Sequence, residues 1–189
     1  MDVREAIRTR RSYGKMLPDA PPRAQIERVL EAGVYAPNHH HTQPWRFFIF
    51  TGAERERLGA AQEAAFRRML ADPDDPRHAA AILKERGKPL RSPVVVVAAA
   101  EPSPDPKVPI AEEIAATAAA VQNVLLAAHA EGLATVWRTG ETGYSDEVRA
   151  LLGLSERAQV VGIIYLGFPN QDQPPGPRPP RRAVMTWVG

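Results

Sequence analysis

Apolar positions along the chain follow two spacings that alternate irregularly. Ile26, Val29, Leu30, Gly33 and Val34 fall at helical intervals behind Pro22 and predict a helix over residues 22–35. A short helix is expected at 2–9. A charged amphipathic helix is expected at 53–70, stopped by Asp72-Pro73-Asp74-Asp75-Pro76. Further helices are expected at 77–86 and 144–152, ended by Gly87 and Gly153. Between them lie mainly apolar runs at 47–51, 94–99, 134–137 and 160–167, each read as a strand. The β-branched run at 94–99 has the composition of an interior strand.

Residues 110–131 predict a long helix crowded with alanine. It lacks a polar face through most of its length and is expected to be buried on nearly all sides. One small subunit has little material for that, so a partner subunit is expected to cover the rest. The stretch 114–128 comes nearest to a membrane span. It is too short, and Gln122 and Asn123 sit in its middle. Glu101-Pro102-Ser103-Pro104-Asp105-Pro106 reads as a rigid connector, and the proline-rich residues 169–180 as an extended arm. Residues 183–188 are apolar again and form a candidate last strand. With no repeat and no domain linker, the pattern gives a single domain over residues 1–189. Its fold class is α+β, three-layered, with one central mixed sheet flanked by helices.

Composition narrows the function. The 189 residues are 44% hydrophobic and 24% charged, ordinary values for a water-soluble fold. A formal net charge of +2 gives no bulk field for nucleic acid. The absence of cysteine excludes disulfides, thiolate metal sites and a cysteine nucleophile. Met1-Asp2-Val3-Arg4-Glu5 has no signal-peptide apolar core, so a cytoplasmic protein with no membrane partner is expected.

Three segments carry chemistry. Ala36-Pro37-Asn38-His39-His40-His41-Thr42-Gln43-Pro44-Trp45 is a polar loop bracketed by prolines between a helix and a buried strand, suited to holding a flat polar ligand. Arg10-Arg11-Ser12 offers two guanidinium groups, a hydroxyl and backbone N–H groups after a helix, which suits a phosphate dianion; a solvated basic turn has the same composition. In Trp137-Arg138-Thr139-Gly140 the glycine admits close backbone approach and the arginine adds a cation. An ordinary strand end with a core tryptophan would read alike. The three histidines lack a neighbouring carboxylate or cysteine, and in an extended loop only His39 and His41 share a side, so no metal site is expected. Gly132 reads as a helix cap. No Gly-x-Gly-x-x-Gly, Walker-type or Gly-x-Ser-x-Gly motif is present.

The order Arg10-Arg11-Ser12, Ala36-Pro37…Gln43-Pro44-Trp45, Lys107-Val108-Pro109, Trp137-Arg138-Thr139-Gly140 and Gly162…Tyr165-Leu166-Gly167 resembles the nitroreductase family of flavin enzymes, in its compact bacterial YdjA-type NAD(P)H nitroreductases. The likeness runs over nearly the whole chain. It implies an FMN-containing homodimer with an exchanged C-terminal arm and the flavin at the subunit interface. It places Arg10, Arg11 and Ser12 on the phosphate and brings Tyr35 and His39 from the other subunit. Trp137, Arg138 and Thr139 lie along the cofactor, with Asn38 and Gln43 as further polar groups. The expected activity is hydride transfer from NADH or NADPH through FMN to a nitroaromatic, quinone or similar acceptor, with no side chain as nucleophile or base. A flavin dehydrogenase or reductase for another metabolite, or a non-catalytic flavin carrier or sensor, would need the same cradle.

Overall fold

The computed structural model describes residues 1–174 and 176–189, with Arg181 described by its backbone alone. In chain order the helices are α1 (Val3–Thr9), α2 (Arg23–Glu31), α3 (Glu54–Met69), α4 (Ala79–Arg86), α5 (Ile110–Ala130) and α6 (Asp146–Leu151). The strands are β1 (Trp45–Thr51), β2 (Val94–Ala100), β3 (Ala134–Arg138) and β4 (Gln159–Gly167). The expected helix 22–35 ends early and tightens into a 3-10 turn over Ala32–Tyr35. There a Cβ on Gly33 would come within 3.0 Å of both Phe47 and Val124, so the chain crosses α5 at close range.

Every residue of β2 is buried. Side chains alternate across a strand, so its apolar run feeds two cores. Val94, Val96 and Ala98 pack with Val121, Val124 and Leu125 of α5 and with Ile26 and Val29 of α2. Val95 and Val97 face the other way, against Leu58 of α3 and Val148 of α6. Helices, sheet and helices make the three layers.

The strand order is β1-β2-β4-β3, and each neighbouring pair is antiparallel. The parallel component of the expected mixed sheet is, among the described residues, the single bridge Ser12–Thr135. β2 and β4 carry an irregularity at Ala98/Ala99. On β4, a Cβ at Gly162 would fall 1.8 Å from Nε1 of Trp137, so the indole lies directly over that glycine.

Two apolar segments stand partly open in the single chain. The long helix α5 is buried along one face, from Glu113 through Ala128, while Ala111, Ala115, Gln122 and Ala130 are exposed. An alanine-rich helix looks alike on every side, so composition did not reveal which side stays open. Its 21 residues would also pass for a membrane span by length and composition. In this fold its inner face is committed to the sheet. The candidate strand 183–188 does not form. Arg181–Ala183 makes a 3-10 turn, and Trp187 and Val188 are 96% exposed. Within the single chain these residues pair with no sheet edge.

Candidate active site

Arg10 ends α1 by turning to an extended backbone, φ −54° and ψ 131°. The chain then runs beside β3, with the Ser12–Thr135 bridge and the Tyr13 N–H donating to the Thr135 carbonyl at 3.0 Å. The structure therefore brings Arg10, Arg11 and Ser12 together with the strand that carries Trp137, Arg138 and Thr139.

The electrostatics at this end are uncompensated. Burial lowers the Arg10 pKa from its ordinary value, and Arg178 and then Arg11 lower it further by repulsion. The Arg10 guanidinium has no carboxylate partner among the described residues. Arg11 is spent on carbonyls, donating to Arg8 at 2.8 Å, Arg10 at 2.7 Å and Pro174 of the arm at 3.2 Å. His129, in the last turn of α5, pairs with the Thr9 hydroxyl at 2.8 Å. Its pKa is lowered by burial first and then by Arg10 and Arg11, against a smaller opposing pull from Glu5. Gathered cations without a counter-charge fit a bound anion.

A cleft of about 230 Å³ opens beside this cluster, lined by Tyr13, Gln62, Arg91, Arg138, Thr139 and Tyr165 among others. Alternation on β3 sends Val136 and Arg138 toward it and Trp137 away. Trp137 packs in the α5-side core and donates from Nε1 to the Val161 carbonyl at 3.3 Å. Of the two sequence readings, the core tryptophan is the one its ring fulfils. Gln62 is 2% exposed, and its Oε1 has no hydrogen-bond partner. Gln62 is also among the residues that line the cleft, and a buried acceptor normally has a donor. Lys88 is tied to Glu85 at 2.6 Å, and Glu85 also accepts from Thr142 at 3.0 Å. Burial raises the Tyr165 pKa, against smaller pulls downward from Arg91 and Arg138. Gly140, at φ 150°, takes a backbone conformation that a side chain would strain.

Tyr35 and His39 lie elsewhere. Tyr35 is 76% exposed at the end of its 3-10 turn. His39 Nδ1 lies 2.8 Å from Glu112 Oε2, in the first turn of α5, whereas Thr9 and His129 meet in its last turn. The seventeen residues from Glu112 to His129 span about 26 Å at a helical rise of 1.5 Å. Within one chain, His39 does not share a site with Arg10, and Tyr35 is not among the residues that line the cleft.

The loop that presents them is tightly held. Asn38 Oδ1 accepts from the Gln43 N–H at 2.7 Å and from the Thr42 hydroxyl at 3.2 Å. The Thr42 hydroxyl also reaches Glu113 Oε1, and Glu113 Oε2 accepts from the Ser103 N–H at 2.8 Å. Glu113 is fully buried. His41 and Gln43 sit at positive φ, 53° and 50°, which these contacts sustain. Asn38 thus serves the loop itself. The histidines also differ from expectation: His39 and His40, not His39 and His41, converge, and Glu112 supplies the carboxylate that the local sequence lacked. A tight turn at residues 39–40 turns both rings to one side. Sequence reasoning passed over Gln62, Arg178 and Glu113. Only Glu113 left a trace, as a charge inside an alanine-rich helix.

Three layers around an antiparallel sheet, with a cationic cleft at one end of the long helix and a braced polar loop at the other, make a nitroreductase-like α+β fold. The match to the Nitroreductase family covers residues 7–168, and the chain belongs to that family. It is 36% identical over 170 residues to "Putative NAD(P)H nitroreductase YdjA" of Escherichia coli strain K12, covering 90% of each chain. The structure of a nitroreductase-like family protein from Bacillus cereus superposes with a TM-score of 0.83 at 26% identity, over 100% of this chain and 96% of that one. A "putative nitroreductase in complex with FMN" from Desulfovibrio desulfuricans gives 0.72 at 26% identity, over 100% and 98%.

Proposed function

We propose that the protein is an FMN-dependent oxidoreductase that passes a hydride from NADH or NADPH to a nitroaromatic, quinone or similar acceptor, with residues 1–189 as one FMN-binding domain in the cytoplasm. The observation that carries this reading is the uncompensated arginine cluster beside a cleft with an unpaired buried acceptor. Both features fit one ligand, a phosphate joined to a flat ring that bears N–H donors. The FMN in the Desulfovibrio relative and the family membership support it.

When bound, FMN supplies the hydride relay between nicotinamide and acceptor. The chain's own residues bind and tune. Arg10, Ser12 and Arg178 would hold the phosphate by charge-assisted bonds, and Arg11, whose Nε and one terminal nitrogen serve carbonyls, would add its charge and its other terminal nitrogen. Gln62 would accept from a ring N–H. Arg138, with Arg91 and the backbone at Thr139, would offset negative charge as electrons enter the ring. No side chain is needed as nucleophile or general base.

Tyr35 and His39 would serve the flavin of a second copy; the length of α5 keeps His39 from its own. A homodimer supplies that copy, and NAD(P)H and the acceptor are its small-molecule partners. The open stripe of α5 fits such a dimer, and so does the far edge of β1, which has no partner strand among the described residues. A groove along that edge, lined by Pro21, Ile26, Leu30 and Ile49, would receive the exposed apolar residues Val184, Met185, Trp187 and Val188 of the other chain's arm.

The purified protein is expected to be yellow, with the absorption bands of oxidised flavin. Anaerobic NADH or NADPH should bleach it, and a quinone or nitroaromatic should restore the colour, with ping-pong steady-state kinetics. A colourless protein that takes up no FMN sinks the cofactor assignment. Bound flavin that neither nucleotide bleaches replaces the enzyme with a carrier or sensor. Light scattering that shows a flavin-loaded monomer removes the shared site.

A further inference from the structure

The geometry points to a binding site for a borderline divalent transition metal, Zn2+ being the probe of choice, formed by His39, His40 and Glu112. The His39 Nδ1 lies 2.8 Å from Glu112 Oε2, and His40 Nε2 lies 3.9 Å from the same oxygen. The two imidazole rings are 4.2 Å apart at 37°. One ligand atom from each residue falls in a set whose members all lie within 4.8 Å of one another.

A surface ion pair would account for His39 beside Glu112. It gives no reason for the second imidazole nitrogen to face the same carboxylate. Zinc binds imidazole nitrogen and carboxylate oxygen at about 2.0–2.2 Å, so tetrahedral neighbours stand about 3.3–3.5 Å apart. Closing the set needs about an ångström of side-chain motion, and all three side chains are exposed enough to make it.

The backbone beneath them is fixed on both sides. Glu112 stands in the first turn of a 21-residue helix. The histidine turn is braced by Asn38 and, through Thr42, by the buried Glu113. Two nitrogens and one oxygen suit zinc, copper or nickel and not the oxygen-seeking magnesium or calcium. Three protein ligands leave a fourth position open to water or a solute donor.

The site does not depend on the flavin reading, but it meets that reading at His39. A metal that engages Nδ1 removes His39 from service at the partner's flavin, so zinc should inhibit turnover.

The test is isothermal titration of Zn2+ into the chelator-treated, full-length, flavin-loaded protein, for wild type and for His40→Ala, Glu112→Gln and His41→Ala. Wild type is expected to bind one Zn2+ per chain. Loss of a ligand in His40→Ala or Glu112→Gln is expected to weaken binding by about tenfold or more. His41→Ala should bind as wild type does. His40→Ala should also keep its turnover and lose its zinc inhibition. Absence of binding up to millimolar Zn2+ overturns the proposal, as does equal weakening by His41→Ala. The flavin spectrum, recorded in the same samples, separates a failure of the metal site from a failure of the flavin reading.

Discussion

The two ends of α5 are built on opposite electrostatic plans. At its C-terminal end, Arg10, Arg11 and Arg178 gather with no salt bridge to an acid among the described residues, and the repulsion of Arg10 and Arg11 reaches His129 against a smaller pull from Glu5. At its N-terminal end, Glu112 and Glu113 supply the acceptors, and Thr42, Ser103 and His39 donate to or pair with them. The first end holds its charges in a strained state that a ligand would relieve. The second is complete in itself and holds a loop in a fixed shape for presentation. The folded chain tolerates one and depends on the other.

The comparison is tested most severely at Arg10. Arg10→Ala removes a charge-assisted bond worth about 1.5–3 kcal/mol, which is about ten- to a hundredfold in FMN affinity by fluorescence titration. The flavin-free variant should melt no lower than wild type, because a repulsive cation has gone. A fall in melting temperature without FMN would show that Arg10 is part of the scaffold.

The opposite outcome is expected at Glu113. Glu113→Ala strands the Ser103 N–H and leaves the Thr42 hydroxyl with Asn38 alone, at a cost of about 1–3 kcal/mol. For a chain of this size that lowers the melting temperature by about 2–4 °C per kcal/mol, with or without FMN. Unchanged melting would mean the carboxylate does not brace the loop.

The smallest effect concerns pH. The folded His129 has a lowered pKa, so at mildly acid pH it binds fewer protons than in the unfolded chain. Stability from this group is intact above the unfolded value of about 6.5 and declines as pH falls from there through the lowered folded value. His129→Gln should flatten that part of the flavin-free stability profile. An unchanged slope would show that another group sets it.

Much of the frame was legible in the sequence because it obeys local rules. The apolar run of β2 declared an interior strand, and Gly87 and Gly153 marked helix ends correctly. Arg10–Ser12 and Trp137–Thr139 were recognisable as segments, and the fold lays them side by side. What stayed hidden depends on residues distant in the chain. The carboxylate that meets His39 comes from a helix that begins some seventy positions later, and the one that braces the loop is its neighbour. Arg178 looked like one more charge in a proline-rich arm. The unpaired oxygen of Gln62 is a property of the folded interior, and no residue pattern encodes it. The last strand expected at 183–188 had the right composition, but within one chain it meets no edge to pair with; the proposed dimer would offer one at β1.

The indole of Trp137 lying over Gly162 has a consequence for how the sheet assembles. β2, β3 and β4 offer apolar side chains on both faces, so hydrophobicity alone penalises sliding of one strand along another only weakly. The ring is a knob with a single vacancy to receive it. Moved two residues toward the C-terminal end of β4, it would strike Ile164, on the same face, instead of empty space. One missing side chain therefore sets the alignment of β3 on β4, and with it the distance from Arg138 to the cleft. An alanine at position 162 would make misregistered pairings competitive during refolding.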